Sequence, residues 1–202
     1  MFPSKIIPVI VIEEPQRALP LGNCLIENNL PVAEVTLRTD RAIESIKIMS
    51  GIENLVTGAG TVITVDQAKA AVDAGAKFLV SPGLNEKVVK FAQSVNTPII
   101  PGVVTPTEVE QAIDLGLDLV KLFPAEAVGG ANLLHAYASV YPNVKFMPTG
   151  GISPHNVSDY LALPNVIACG GSWLTPSHLL KQDAFDQIGQ LIKAASFFTP
   201  RS

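Results

Sequence analysis

The sequence predicts an α/β fold, a closed eight-stranded parallel (β/α)8 barrel of the TIM type, in a single domain over residues 1–202. Three observations predict it. Short β-rich segments alternate with amphipathic, alanine-rich ones along the chain. The alternation runs through eight strand-helix units with no linker between them, which implies parallel strands joined by helical crossovers. The length, 202 residues, suits one domain with a substantial core. It lies at the low end of the roughly 200–400 residues of such barrels, so loops must be short. A doubly wound open sheet is the alternative arrangement.

In chain order, strands are expected at 6–12, 32–38, 55–61, 78–82, 98–103, 119–123, 145–149 and 166–170. Helices are expected near 15–29, 40–50, 64–74, 85–95, 106–115, 130–140, 154–162 and 183–196. The first strand is the apolar run Ile6-Ile-Pro-Val-Ile-Val-Ile12, too short to span a membrane and without a cleavage-site pattern. In the second, Glu34, Thr36 and Arg38 share one face by alternation, with Val35 and Leu37 on the other. Thr64 and Gln67 have capping-box spacing, and Thr105-Pro106 offers a cap with proline at the first helical position. Ser153-Pro154 repeats that pattern, while Gly75 and Gly116 stand where helices should stop.

Composition narrows the function. The chain is 48% apolar and 16% charged, which is globular rather than disordered. A net charge of −4 and the lack of a basic stretch argue against nucleic acid. An anionic substrate would be held by a few placed groups. Cys24 and Cys169 match no metal or redox spacing and read as small buried residues in a reducing cytosol. No run approaches the ~18 apolar residues of a spanning helix, so a cytoplasmic protein is expected. His135, His155 and His178 fall in helices or loops without metal-ligand spacing and read as surface or capping residues.

In barrels of this kind the active site lies at the C-terminal ends of the strands. The strand ends here gather the unusual residues: Arg38, Thr57-Gly-Ala-Gly-Thr61, Ser81-Pro-Gly83, Pro101-Gly102, Thr149-Gly-Gly151 and Cys169-Gly-Gly-Ser172. Lys77 and Lys145 fall instead at strand starts and read as solvated. Lys121 sits inside the apolar run Asp118-Leu-Val-Lys-Leu-Phe-Pro124. A buried ammonium is costly unless it is paired or loses its proton. A lysine of lowered pKa is a nucleophile that forms a Schiff base with a carbonyl.

Glu34, Arg38 and Lys121 are expected to point inward together. Arg38, the only arginine in an expected strand, can grip a carboxylate with two parallel hydrogen bonds. Glu34 can shuttle protons. The competing reading is an ion network that merely fills the interior. Gly150-Gly151 and Gly170-Gly171, with Thr149 and Ser172 beside them, end adjacent strands where barrels bind phosphate through backbone N–H groups. Tight turns are the plainer account of either pair alone. Phe123 either walls the substrate or packs the core, and Trp173 should pack under the phosphate loop. Together these features point to a Schiff-base lyase acting on a phosphorylated keto acid.

Glu34-Val-Thr-Leu-Arg-Thr39, Gly58-Ala-Gly-Thr61, Ser81-Pro-Gly83, Lys121-Leu-Phe-Pro-Ala-Glu126, Pro148-Thr-Gly-Gly-Ile-Ser-Pro154 and Gly170-Gly-Ser-Trp173 occur in that order. The set resembles the family of 2-keto-3-deoxy-6-phosphogluconate (KDPG) and 4-hydroxy-2-oxoglutarate (KHG) aldolases over roughly residues 6–196. The resemblance implies a class I aldolase of the Entner–Doudoroff pathway, normally a homotrimer. It would release pyruvate and glyceraldehyde 3-phosphate from the first substrate, or pyruvate and glyoxylate from the second. By the same resemblance Lys121 would be the Schiff-base lysine and Glu34 the proton shuttle. Arg38 and Thr61 would hold the pyruvate carboxylate, and Pro82 and Phe123 would line the pocket. Gly150, Gly151, Gly171 and Ser172 would bind phosphate, and Thr149 would contact the substrate chain.

No metal or organic cofactor is expected, because the iminium is itself the electron sink. Two departures from the family stand out: Leu122 where phenylalanine is usual, and a short segment before Ile6 where relatives commonly have a helix capping the barrel bottom. The rival readings are a 2-keto-3-deoxy-6-phosphogalactonate aldolase and a non-catalytic barrel that binds a phosphorylated metabolite. The latter would have no need of a buried lysine beside a carboxylate.

Overall fold

The computed structural model describes residues 2–195 and Phe198. Its strands are β1 (Ile6–Ile10), β2 (Val32–Thr36), β3 (Val56–Gly60), β4 (Leu79–Val80), β5 (Ile99–Ile100), β6 (Gly102–Val103), β7 (Leu119–Leu122), β8 (Lys145–Phe146) and β9 (Cys169–Gly171). Between and after them run α1 (Ala18–Glu27), α2 (Ala42–Ser50), α3 (Val65–Asp73), α4 (Glu86–Ser94), α5 (Pro106–Asp114), α6 (Gly130–Val140), α7 (Val157–Leu161), α8 (Ser177–Lys181) and α9 (Phe185–Ala195). Every expected strand and helix position is occupied. Ser196, the last residue of the helix expected at 183–196, lies outside the described residues.

The closed eight-stranded barrel is corrected. The pairings are parallel, but they form two sheets: six strands in the order β5-β4-β3-β2-β1-β9 and three in the order β6-β7-β8. Proline explains one break. Pro101 separates β5 from β6 and has no N–H for the ladder, although its carbonyl accepts a 2.8 Å bond from Lys121 N. At the other side, β8 is only two residues long, and Pro148 lies just past Met147 at its end. Contact with the last strand region is reduced to isolated bridges, Phe146 to Val166 and Thr149 to Gly170.

Local signals explain the helix ends. Thr64 and Gln67 form a capping box, and so do Thr105 and Glu108, with Pro106 at the start of α5. Gly75 and Gly116 follow α3 and α5 with φ of +100° and +76°, the left-handed stop that glycine adopts without strain. Two expectations shift. The segment 15–29 opens as a 3-10 turn at Pro15–Arg17 before α1. Ser153-Pro154 begins a turn, and α7 starts only at Val157 after its N-cap Asn156. The short α8 was not expected.

The strands β1, β2 and β7 are buried along their whole lengths, and one apolar cluster joins them to Leu21 and Leu25 of α1, Ile46 and Met49 of α2, and Ile188 and Ile192 of α9. Both cysteines are buried and free, and burial pushes the Cys169 thiol up to about 12. The Phe78 ring fills the space over Gly58, which pairs with Glu34, and Phe2 meets it edge to face at 5.1 Å. Two aromatic rings thus close the interior behind Glu34.

Candidate active site

Glu34 lies in the middle of β2, fully buried, and Lys121 in β7 is 4% exposed. Their side chains meet across the interior, with Lys121 Nζ 3.7 Å from Glu34 Oε1. Neither Glu34 oxygen has a hydrogen-bond partner. Burying an ion pair costs several kcal/mol per ion, and buried polar atoms without partners are rare. A pair held this loosely is a poor stabiliser. Lys121 Nζ also lies 5.0 Å from the centre of the Phe123 ring, within cation–π reach.

Small residues make room for the pair. A Cβ at Gly60 would collide with the Glu34 carboxylate, and one at Gly102 would collide with the Pro82 carbonyl. Gly102 is the register partner of Lys121, so the Pro82 loop rests beside the lysine. Sequence reasoning gave neither glycine a role. The available signal was a glycine inside a strand, which marks a close approach.

Arg38 departs from expectation. β2 ends at Thr36, so Arg38 lies beyond the strand and is exposed. Its Nε donates to Thr61 Oγ1 at 3.3 Å, which brings the two expected carboxylate-binding residues together above β2 and β3. Thr61 has a φ of +59°. A non-glycine residue there costs on the order of 1 kcal/mol or more and persists where surroundings hold it.

At the other end, Thr149 bridges to Gly170, and its buried Oγ1 has no partner. Gly150 and Gly151 follow with φ of +99° and +80°, conformations open to glycine at little cost. Gly150 packs against Phe123 and Pro124, so the turn abuts the exit of the lysine strand. Gly171 ends β9 beneath the ring of Trp173, and Ser172 next to it is exposed. The structure thus brings the expected residues together in groups: Arg38 with Thr61, Glu34 with Lys121 and Phe123, Pro82 beside the register partner of Lys121, Gly150 against Phe123, and Thr149 beside Gly170 in the strand that ends in Gly171. Among the described residues, no group of three or more His, Cys, Asp or Glu side chains is placed to hold a metal ion.

A sequence model of the family described as KDPG and KHG aldolase matches residues 1–191. The chain belongs to this aldolase family. A 2-dehydro-3-deoxy-phosphogluconate aldolase of Haemophilus influenzae is 44% identical over 190 residues, covering 94% of this chain and 90% of that one. The KHG/KDPG aldolase of Escherichia coli is 42% identical over 191 residues, with the same shares. Among solved structures, the KDPG aldolase of Legionella pneumophila superposes with a TM-score of 0.92 at 42% identity, covering 95% of this chain and 94% of that one. That aldolase was crystallised with pyruvate captured at low pH as a covalent carbinolamine intermediate. Among the described residues of this family member, no helix is long and apolar enough to cross a membrane.

Proposed function

We propose that the protein is a class I aldolase that cleaves 2-keto-3-deoxy-6-phosphogluconate to pyruvate and glyceraldehyde 3-phosphate, and 4-hydroxy-2-oxoglutarate to pyruvate and glyoxylate. The observation that carries this reading is the buried Lys121–Glu34 pair, at 3.7 Å and with the carboxylate otherwise unbonded. Family membership supplies the substrate class. The carbinolamine in the Legionella relative supplies the precedent for covalent chemistry with pyruvate.

The Lys121 amine attacks the C2 carbonyl to give a carbinolamine, and loss of water leaves an iminium. Glu34 takes the proton of the C4 hydroxyl as the C3–C4 bond breaks. The bonding pair moves into the iminium and forms an enamine, and the aldehyde leaves. Glu34 then returns a proton to C3, and water releases pyruvate from Lys121. Arg38 and Thr61 hold the carboxylate of the pyruvyl end. Phe123 and Pro82 wall the reacting carbons. Thr149 touches the chain, while Gly150, Gly151, Gly171 and Ser172 hold the phosphate. The homotrimer, implied by the family resemblance, and the single domain over 1–202 and cytoplasmic location, read from length and composition, belong to the same reading.

The decisive test is to incubate the protein with pyruvate, reduce with borohydride and map the adduct by peptide mass spectrometry. A reduced pyruvyl group on Lys121 is expected. A folded protein that takes no label, or takes it elsewhere, overturns the assignment. The phosphate end is tested by Ser172→Ala. Loss of one hydroxyl donor is expected to raise KM about 3- to 10-fold for the phosphorylated substrate and much less for 4-hydroxy-2-oxoglutarate. Equal losses on both substrates would remove Ser172 from the phosphate site.

A further inference from the structure

The segment that carries Lys121 ends in Glu126, a residue the reaction above does not use. It lies beyond the end of β7, and its side chain reaches Tyr160 of α7, whose hydroxyl donates to Glu126 Oε1. Tyr160 is 1% exposed, one of the largest fully buried side chains. Burial and the bond to Glu126 hold its hydroxyl well above the ordinary tyrosine range, so it stays a donor.

This pair braces the glycine turn. Glu126 N donates to Gly150 O at 3.0 Å, and Ala125 N donates to Thr149 O at 2.9 Å. The Glu126 stem lies so close to Gly151 that a Cβ there would strike its Cβ and Cγ. Gly130, with a φ of +55°, leaves room for the pair, since a Cβ there would come within 2.7 Å of the Tyr160 oxygen and 2.9 Å of Glu126 Oε1. From the far side Asn156 Nδ2 donates to Gly151 O at 3.0 Å, while Asn156 Oδ1 accepts from Ser153 N at 2.8 Å. A carboxylate placed against an anion-binding turn is electrostatically unfavourable. Its cost is accounted for if its geometry is what matters.

We propose that Glu126 and Tyr160 are positioning residues for the phosphate end of the site, their mutual bond fixing the Thr149–Gly151 turn in the conformation that presents its backbone N–H groups to the anion. This rests on the reading of that turn as a phosphate cradle. Neither residue touches the reacting carbons. Their effect is therefore specific for substrates that carry phosphate.

The test compares Tyr160→Phe, Glu126→Ala and Glu126→Gln with Ser172→Ala in the full chain. KM and kcat are measured on the phosphorylated substrate and on 4-hydroxy-2-oxoglutarate, with inorganic phosphate as competitive probe. Tyr160→Phe and Glu126→Ala are expected to raise KM for the phosphorylated substrate roughly tenfold, since small misplacements of binding groups are costly. Inhibition by phosphate should weaken in parallel. On 4-hydroxy-2-oxoglutarate the change in KM should stay below about threefold. Glu126→Gln still accepts the tyrosine bond and should stay near the parent.

Equal losses on both substrates, or none on either, overturn the proposal, as does a loss in Glu126→Gln as large as in Glu126→Ala. If Ser172→Ala discriminates between the substrates and the Tyr160 and Glu126 variants do not, the positioning role falls and the cradle stands. If Ser172→Ala does not discriminate and phosphate does not compete in the parent, the cradle falls and takes this proposal with it. Glu126 is exposed, so its variants keep the test open should Tyr160→Phe fail to fold.

Discussion

Lys121→Ala is expected to abolish cleavage of both substrates, by on the order of 10⁴-fold or more in kcat, because it removes the nucleophile rather than a binding contact. No other amine is paired with Glu34 among the described residues, so no neighbour can take over. The substitution also leaves a fully buried carboxylate without its cation, and breaking one side of a buried pair typically costs about 3–5 kcal/mol. Fold and chemistry must therefore be read separately. Lys121→Met keeps the apolar stem packed in β7 and should lose activity as completely as Lys121→Ala. Circular dichroism and thermal unfolding show whether each variant is folded. A folded variant that still turns over substrate, or still traps pyruvate on reduction, would end the Schiff-base mechanism.

Glu34→Gln should be the next most damaging change. It preserves size against Gly60, whose missing side chain leaves no slack for a larger group, and removes the proton-accepting oxygen. Positioned general acid–base groups contribute about 10²–10⁴-fold, and a kcat loss in that range is expected. The lysine remains, so borohydride should still trap pyruvate on Lys121, but more slowly. That split separates a shuttle from a structural partner. If kcat stays within a few-fold of the parent, Glu34 is only the counter-ion of Lys121, and the proton passes through water or substrate.

Much of this was legible in the residues. Strict alternation placed Glu34 on an inward face of its strand, and an isolated charge in an apolar run marked Lys121. Caps and glycine stops located α3 and α5 because they are local devices, read within four residues. The break between the two sheets was harder. Hydrophobic pattern reports burial, and burial is the same on either side of Pro101 whether or not the ladder continues. Arg38 was misplaced for a related reason: alternation does not say where β2 ends, and the chain leaves the strand at Thr36. The short α8 carries too few residues for a helical period to show. Glu126 and Tyr160 are 34 residues apart, and no spacing rule connects them.

The division of the strands bears on more than architecture. Glu34 belongs to the six-stranded sheet, and the bonded Arg38–Thr61 pair lies just beyond two of its strands, while Lys121 and the approach to the Thr149 turn belong to the three-stranded one. A substrate covalently joined to Lys121 and gripped at its carboxylate would span both, adding a strut where the backbone ladder is interrupted. Occupancy and the cohesion of the two sheets then become one linked equilibrium, since anything that binds only the joined state favours it.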